Sequence, residues 1–268
     1  MVSAWLNGSI VESGQAYISL SDRGFTLADG VFETIRTARA RPLWFADHLA
    51  RLKNSAATLG IPLEHDDRKV EAAIVQLLET SEQADSAVRI TLTRGPSSKR
   101  GLWPPGEPVH PTLLITVAPL AAFPAQDMVV CRSSRRNEHS PLSRIKSLNY
   151  GDNLLARREA FDRGATDALM LNTSGDLACA TVGNVFLRIE RRWVTPRLAD
   201  GALAGLARAR LIKTINATEL AVSSTSIGKA DAGFVSNSLG CAVIDRIEGQ
   251  PLQDITRDVD LTSIYAVA

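Results

Sequence analysis

Six lysines occur in the chain, and Lys146 differs from Lys53, Lys69, Lys99, Lys213 and Lys229 in lying between apolar Ile145 and Leu148 with Arg144 close by. An amine that attacks a carbonyl must be neutral part of the time, which partial desolvation or a neighbouring cation brings about. The surroundings of Lys146 suit that chemistry, whereas those of the other five suit solvated side chains. Spacing alone favours a second reading, an ordinary lysine at the end of a strand. Other chemistries are poorly served. Cys131, Cys179 and Cys241 are odd in number and widely spaced with no C-x-x-C pair, and His48, His65, His110 and His139 show no H-x-x-x-H spacing. Neither a disulfide framework nor a metal site is expected.

The chain has 268 residues, 45% hydrophobic and 22% charged, enough to bury one large core or two modest ones. Thirty basic against 29 acidic residues leave a formal charge of +1, so no broad field points to nucleic acid or an anionic membrane. A small, anionic substrate fits better. The start Met1-Val2-Ser3-Ala4-Trp5 has no basic leader, and no stretch reaches the roughly 20 apolar residues of a membrane helix. A cytoplasmic protein is the expectation.

The elements that must position Lys146 read as an alternation of short strands and helices, an α/β or α+β architecture. Val31–Thr37 and Leu43–Phe45 flank polar Ala38–Arg41 as in a hairpin, and His48–Leu59 follows as a helix that Gly60 closes. A helix over Asp67–Leu78 and strands over Val88–Thr93 and Thr112–Val117 complete a first domain. Pro119 and Pro124 mark a connection, which divides the chain into 1–119 and 120–268. Beyond it, strands are expected over Met128–Arg132, Ala168–Leu171, Thr181–Ile189, Phe234–Ser236 and Ala242–Ile247. Helices are expected over Asn153–Asp162 and alanine-rich Leu203–Ile215.

The run Ile145-Lys146-Ser147-Leu148-Asn149-Tyr150 resembles the lysine segment of the fold-type IV, class IV aminotransferases, which include branched-chain and D-amino-acid aminotransferases and aminodeoxychorismate lyases. Further similar segments follow the same order: Ser21–Phe25 with Asp29–Arg36, His48–Leu52, Thr93–Gly95 with Arg100–Leu102, Gly183–Phe186, Leu203–Arg208 and Ser236–Gly240. Each is weak alone; their shared order along nearly the whole chain argues against coincidence. The resemblance implies pyridoxal 5'-phosphate (PLP) as cofactor, a small N-terminal and a larger C-terminal domain with the site between them, and a homodimer.

By the same resemblance, Lys146 would hold the cofactor as a Schiff base and move the α-proton, and Arg51 would bind the phosphate with its planar fork. Gly205, Leu206 and Ala207 would open a helix whose N–H groups face the phosphate, and Ser238 would add a hydroxyl. Tyr150 would reach the ring phenolate oxygen, and Asn184 marks the segment on the ring-nitrogen side. Two positions depart from the family. Cys179 stands five residues before Asn184, where a glutamate commonly pairs with the ring nitrogen. A thiol with a pKa of about 8.5 is no fixed negative charge, so a weaker electron sink is expected. Ala207 occupies a place where threonine often adds a hydroxyl, a hydrogen bond worth about 0.5–1.5 kcal/mol.

On the substrate side, Phe32, Arg36, Arg94, Arg100 and Leu239 are the candidates to line the pocket, and Thr34 is similar to a threonine implicated in the lyase. Arg36 lies two residues beyond Thr34, so on a strand both face one way. The resemblance implies transamination between an α-amino acid and a 2-oxo acid first, on family frequency. The alternatives are aminodeoxychorismate lyase, which eliminates pyruvate to leave 4-aminobenzoate, and a protein of this fold with weak or lost catalysis because of Cys179.

Overall fold

Along Gly30–Ala38, odd-numbered Val31, Glu33, Ile35 and Thr37 are buried while Thr34 and Arg36 are only partly covered. This is the period of a strand with one core face and one open face. The computed structural model describes residues 3–81, 85–99, 101–103 and 109–266, and the chain separates into two compact units. The first comprises the residues up to Ala121 together with Ile145–Asn149.

Its sheet holds β1 (Ser3–Leu6), β2 (Ser9–Glu12), β3 (Gly30–Ala38), β4 (Arg41–Pro42), β5 (Ser86–Thr93) and β6 (Thr112–Pro119), in the order β2-β1-β6-β5-β3-β4. All pairings are antiparallel. The helices are α1 (Arg23–Leu27), α2 (Phe45–Leu59) and α3 (Asp67–Ser81). α2 packs on β3 and α3 on β6 and β1, burying Leu49, Leu52 and Ala56 of one and Val70, Ile74 and Leu77 of the other. Gly60, at φ +65°, ends α2 in the left-handed conformation expected of it. The segment Ile145–Asn149 runs along β3: Phe32 N–H donates to Lys146 O and Leu148 N–H to Gly30 O, both at 2.9 Å.

The second unit comprises Ala122–Arg144 and Tyr150–Ala266. Its strands are β7 (Gln126–Val130), β8 (Asp167–Leu171), β9 (Leu177–Ala180), β10 (Asn184–Ile189), β11 (Arg192–Thr195), β12 (Thr218–Glu219), β13 (Ala232–Ser236), β14 (Cys241–Ile247) and β15 (Gln250–Pro251). They form a mixed sheet ordered β12-β11-β10-β13-β14-β7-β8-β9, with β15 on β14. The helices are α4 (Gly151–Asp162), α5 (Leu206–Thr214) and α6 (Ser224–Ile227). One core gathers Met128, Leu169, Val185, Leu187, Val235 and Ile244; a second, under α4, gathers Val129, Ala156, Ala160, Met170 and Cys179.

Among the elements that differ from the sequence expectation, four show a local reason or turn. The hairpin return is only Arg41–Pro42, because Trp44 adopts φ +53° and Phe45 already begins α2, which brings Asp47 into the first turn where the helix dipole favours it. The second-half helix starts at Leu206 rather than Leu203, with Gly205 extended at its N-cap. The strand expected from Thr181 begins at Asn184, and the preceding Leu177–Ala180 forms its own strand against β8. The β1–β2 hairpin is additional; Asn7-Gly8, both at positive φ, is its two-residue turn. Among the described residues, no helix is long and apolar enough to cross a membrane.

Candidate active site

The Lys146 strand places its amine over the open face of the first sheet, 4.1 Å from the centroid of the Phe32 ring. The residue is half-covered, but its amine lies deep enough that burial pulls its pKa from 10.5 down to about 8; Glu33 opposes this, while Arg51 and Arg89 add to it. That is the condition a carbonyl-attacking amine needs. Phe32, Thr34 and Arg36 share this face by strand alternation, and the register sets Arg89 opposite Thr34 and Thr91 opposite Phe32. The Arg89 guanidinium lies 3.9 Å from the Phe32 centroid.

Behind β3, Glu33 is fully buried and gathers three donors: His48 Nδ1 at 2.8 Å, Arg51 Nε at 2.6 Å and Arg51 Nη2 at 2.8 Å. Burial alone would raise its pKa, but the Arg51 and His48 contacts bring it down to about 2. Burial holds His48 below its ordinary value despite Glu33, so the imidazole is neutral and donates from Nδ1. Arg51, expected on the phosphate, is thus held by a bidentate carboxylate that fixes its plane.

Arg94 is placed otherwise than expected. Its guanidinium donates to Asp29 through Nε at 2.7 Å and Nη2 at 3.2 Å, and to the carbonyls of Leu59 and Gly60 at 2.5 and 3.1 Å. Asp29 also receives Arg23 Nε at 2.9 Å, and its pKa falls, since the two arginines outweigh burial. With these donors taken by the framework, Arg94 ties the end of α2 to the β5 terminus. Arg94→Ala should lower unfolding free energy by about 3 kcal/mol in urea titrations with little change in KM. A raised KM at unchanged stability would restore the substrate role. Arg100 lies outside the described residues.

In the second unit, Tyr150 is the N-cap of α4. Cys179 lies buried on β9, where burial pushes the thiol pKa up, Arg136 pulls it back and Asp167 adds to it. At neutral pH it is an uncharged thiol. Asn184 opens β10 and donates from Nδ2 to Leu203 O at 2.9 Å, which secures the turn leading into α5. A Cβ on Gly205 would sit 2.1 Å from Asn184 Oδ1, so only glycine fits. The N-cap of α5 is Gly205, which has no side chain to offer the first turn, where Leu206 and buried Ala207 stand. Ser238 and Leu239 belong to the turn between β13 and β14, which Leu239 N–H tightens by donating to Asn237 Oδ1 at 2.8 Å.

The chain belongs to the amino-transferase class IV family, whose model matches residues 30–247 and so takes in the Lys146 segment, the antiparallel sheet's β3 and the start of α5. Within that family it is 24% identical to a D-alanine aminotransferase of Bacillus licheniformis over 92% of this chain and 88% of the relative. It is 28% identical to an aminodeoxychorismate lyase of Bacillus subtilis over 88% of this chain and 83% of the relative. The crystal structure of 4-amino-4-deoxychorismate lyase from Pseudomonas aeruginosa superposes with a TM-score of 0.81 at 27% identity, covering 97% of each chain. The α/β architecture is that of the fold-type IV enzymes. Glu33, His48 and Arg89 join the site without being among the residues expected there. A lone arginine between Val88 and Ile90 on a strand was the available signal for Arg89, and a carboxylate inside the apolar run Val31–Ile35 the signal for Glu33.

Proposed function

We propose that this enzyme binds PLP on Lys146 and eliminates pyruvate from a dicarboxylate of the 4-amino-4-deoxychorismate type, leaving 4-aminobenzoate. The observation that carries the reading is the pair of guanidinium groups, Arg36 and Arg89, on the same sheet face as Lys146 and Thr34. Two arginines on one sheet face suit a substrate with two carboxylates.

The residues fit the cofactor. An amine with a pKa of about 8 would be the group to hold its aldehyde carbon, and the start of α5, with glycine at its N-cap, would receive its phosphate. When bound, the cofactor supplies an electron-withdrawing ring conjugated to the substrate nitrogen. Lys146 then takes the proton from the amine-bearing carbon. The bond from the neighbouring carbon to the enolpyruvyl oxygen would break, and Thr34, on the same face, would relay the proton taken up by Lys146 to the leaving enolate. Arg36 and Arg89 hold the carboxylates, Arg51 the phosphate, and Phe32 packs beneath the amine.

The uncharged Cys179 thiol favours elimination over transamination, because prompt departure of the leaving group asks less of the ring than a persistent carbanion does. Transamination is the second reading, supported by the D-alanine aminotransferase relative. Incubation with 4-amino-4-deoxychorismate and no amino acceptor should release pyruvate and 4-aminobenzoate in equal amounts. Stoichiometric keto acid from an amino acid, with no 4-aminobenzoate, would establish the second reading instead. In Cys179→Glu the transamination half-reaction should accelerate about tenfold, the equivalent of one charge-assisted hydrogen bond, as followed by the cofactor spectrum. An unchanged or slower rate counts against the thiol as the limiting group.

A further inference from the structure

We infer that the C-terminal turn Ser263–Tyr265 is a strap that sets the Asn237–Leu239 loop, with Tyr265 as its positioning residue. The inference rests on the proposed reading that this loop and the start of α5 hold the cofactor phosphate. Tyr265 is 5% exposed, and its hydroxyl donates to Asn237 O at 2.6 Å. Its single proton is thereby used, so the Cys241 thiol, 3.5 Å away, is the donor in their contact. Burial keeps that thiol protonated, its pKa raised to about 11, with the tyrosine opposing. A chain of donors therefore runs from Cys241 through Tyr265 to the loop carbonyl.

Every polar group of Asn237 is engaged. Its N–H donates to Gly240 O at 3.0 Å, its Oδ1 accepts from Leu239 N–H at 2.8 Å, and its Nδ2 donates to Val182 O at 3.3 Å. Asn237 is thus fixed on four sides, and Tyr265 supplies the side that comes from a distant part of the chain. Ser238 follows directly, so the orientation of Asn237 sets where the serine hydroxyl is presented. The same turn packs against α5. One short segment thereby touches both elements assigned to the phosphate, while no role in the chemistry requires it.

The test uses the full-length apo-enzyme titrated with PLP and, separately, with pyridoxal, which lacks the phosphate. Tyr265→Phe keeps the ring and removes the hydroxyl. Its affinity for PLP should fall about fivefold, the equivalent of one neutral hydrogen bond, with pyridoxal affinity and kcat at saturating PLP unchanged. Cys241→Ala, which removes only the outer donor, should lose about twofold in PLP affinity and nothing for pyridoxal. Equal PLP affinity in wild type and Tyr265→Phe would overturn the strap, as would a parallel loss for both ligands, which marks general loosening. Wild-type enzyme that binds PLP no more tightly than pyridoxal would overturn the phosphate reading itself, and the strap with it.

Discussion

Lys146→Ala should lower kcat by at least about 10⁴-fold with saturating PLP, the upper range for a positioned acid–base group. The other five lysines, Lys53, Lys69, Lys99, Lys213 and Lys229, are all exposed side chains, so none is set to take over. Lys146→Arg should lose as much, because guanidinium keeps a cation there but cannot shed its proton. Stability should not follow activity. The folded-state pKa lies below the ordinary 10.5, so the unfolded chain binds the proton more tightly. The buried amine thus costs stability below pH about 8, and the cost is relieved as pH rises from about 8 to 10.5. Lys146→Ala should accordingly be as stable as wild type, or more so, at neutral pH. The rate at which apo-enzyme captures PLP should rise with pH through about 8. Turnover above one tenth of wild type in the alanine variant would remove Lys146 from the chemistry.

Glu33→Gln should be the most destabilising single change near the site, by about 3–5 kcal/mol at neutral pH, the range for breaking a buried ion pair by removing one partner. The amide would turn donor hydrogens toward Arg51 and His48, which both donate to the carboxylate. The folded-state pKa of Glu33 is depressed from 4.5 to about 2. Its contribution is therefore fully present above pH 4.5 and lost as pH falls from 4.5 toward 2. Wild type should lose stability through that window more steeply than the variant. A second consequence reaches Lys146. The Glu33 charge holds the amine's pKa up against burial, so the midpoint for PLP capture should move below about 8 in Glu33→Gln. Unfolding free energy within 0.5 kcal/mol of wild type, taken as the bound for a surface substitution, would show that the cluster is not what holds Arg51.

How much was legible in the sequence depended on whether a residue's neighbours were local. Helices α2 and α3 followed from apolar spacing, and β3 and β5 from alternation, because one buried face writes its period into the chain. Lys146 was suggested by its apolar flanks, yet what lowers its pKa is burial in the folded chain, with Arg51 and Arg89 adding to it against Glu33, and these three residues lie more than fifty positions away in the chain. Arg94 and Arg51 looked alike as candidate anion binders. Asp29 takes one and Glu33 the other, and only the folded chain distinguishes a guanidinium held by the framework from one oriented beside the amine. The alanine-rich run extends the expected helix back to Leu203, whereas Gly205 is extended at the N-cap and the helix begins at Leu206; glycine's low helix propensity was the local signal for that start. The Asn7-Gly8 turn could have been read from its dipeptide alone.

The central claim is tested most directly by incubating the enzyme with PLP, reducing with borohydride and mapping the labelled peptide. The prediction is a single stable adduct on the side-chain nitrogen of residue 146, absent from Lys146→Ala. An adduct on another lysine, or none at saturating cofactor, would contradict it.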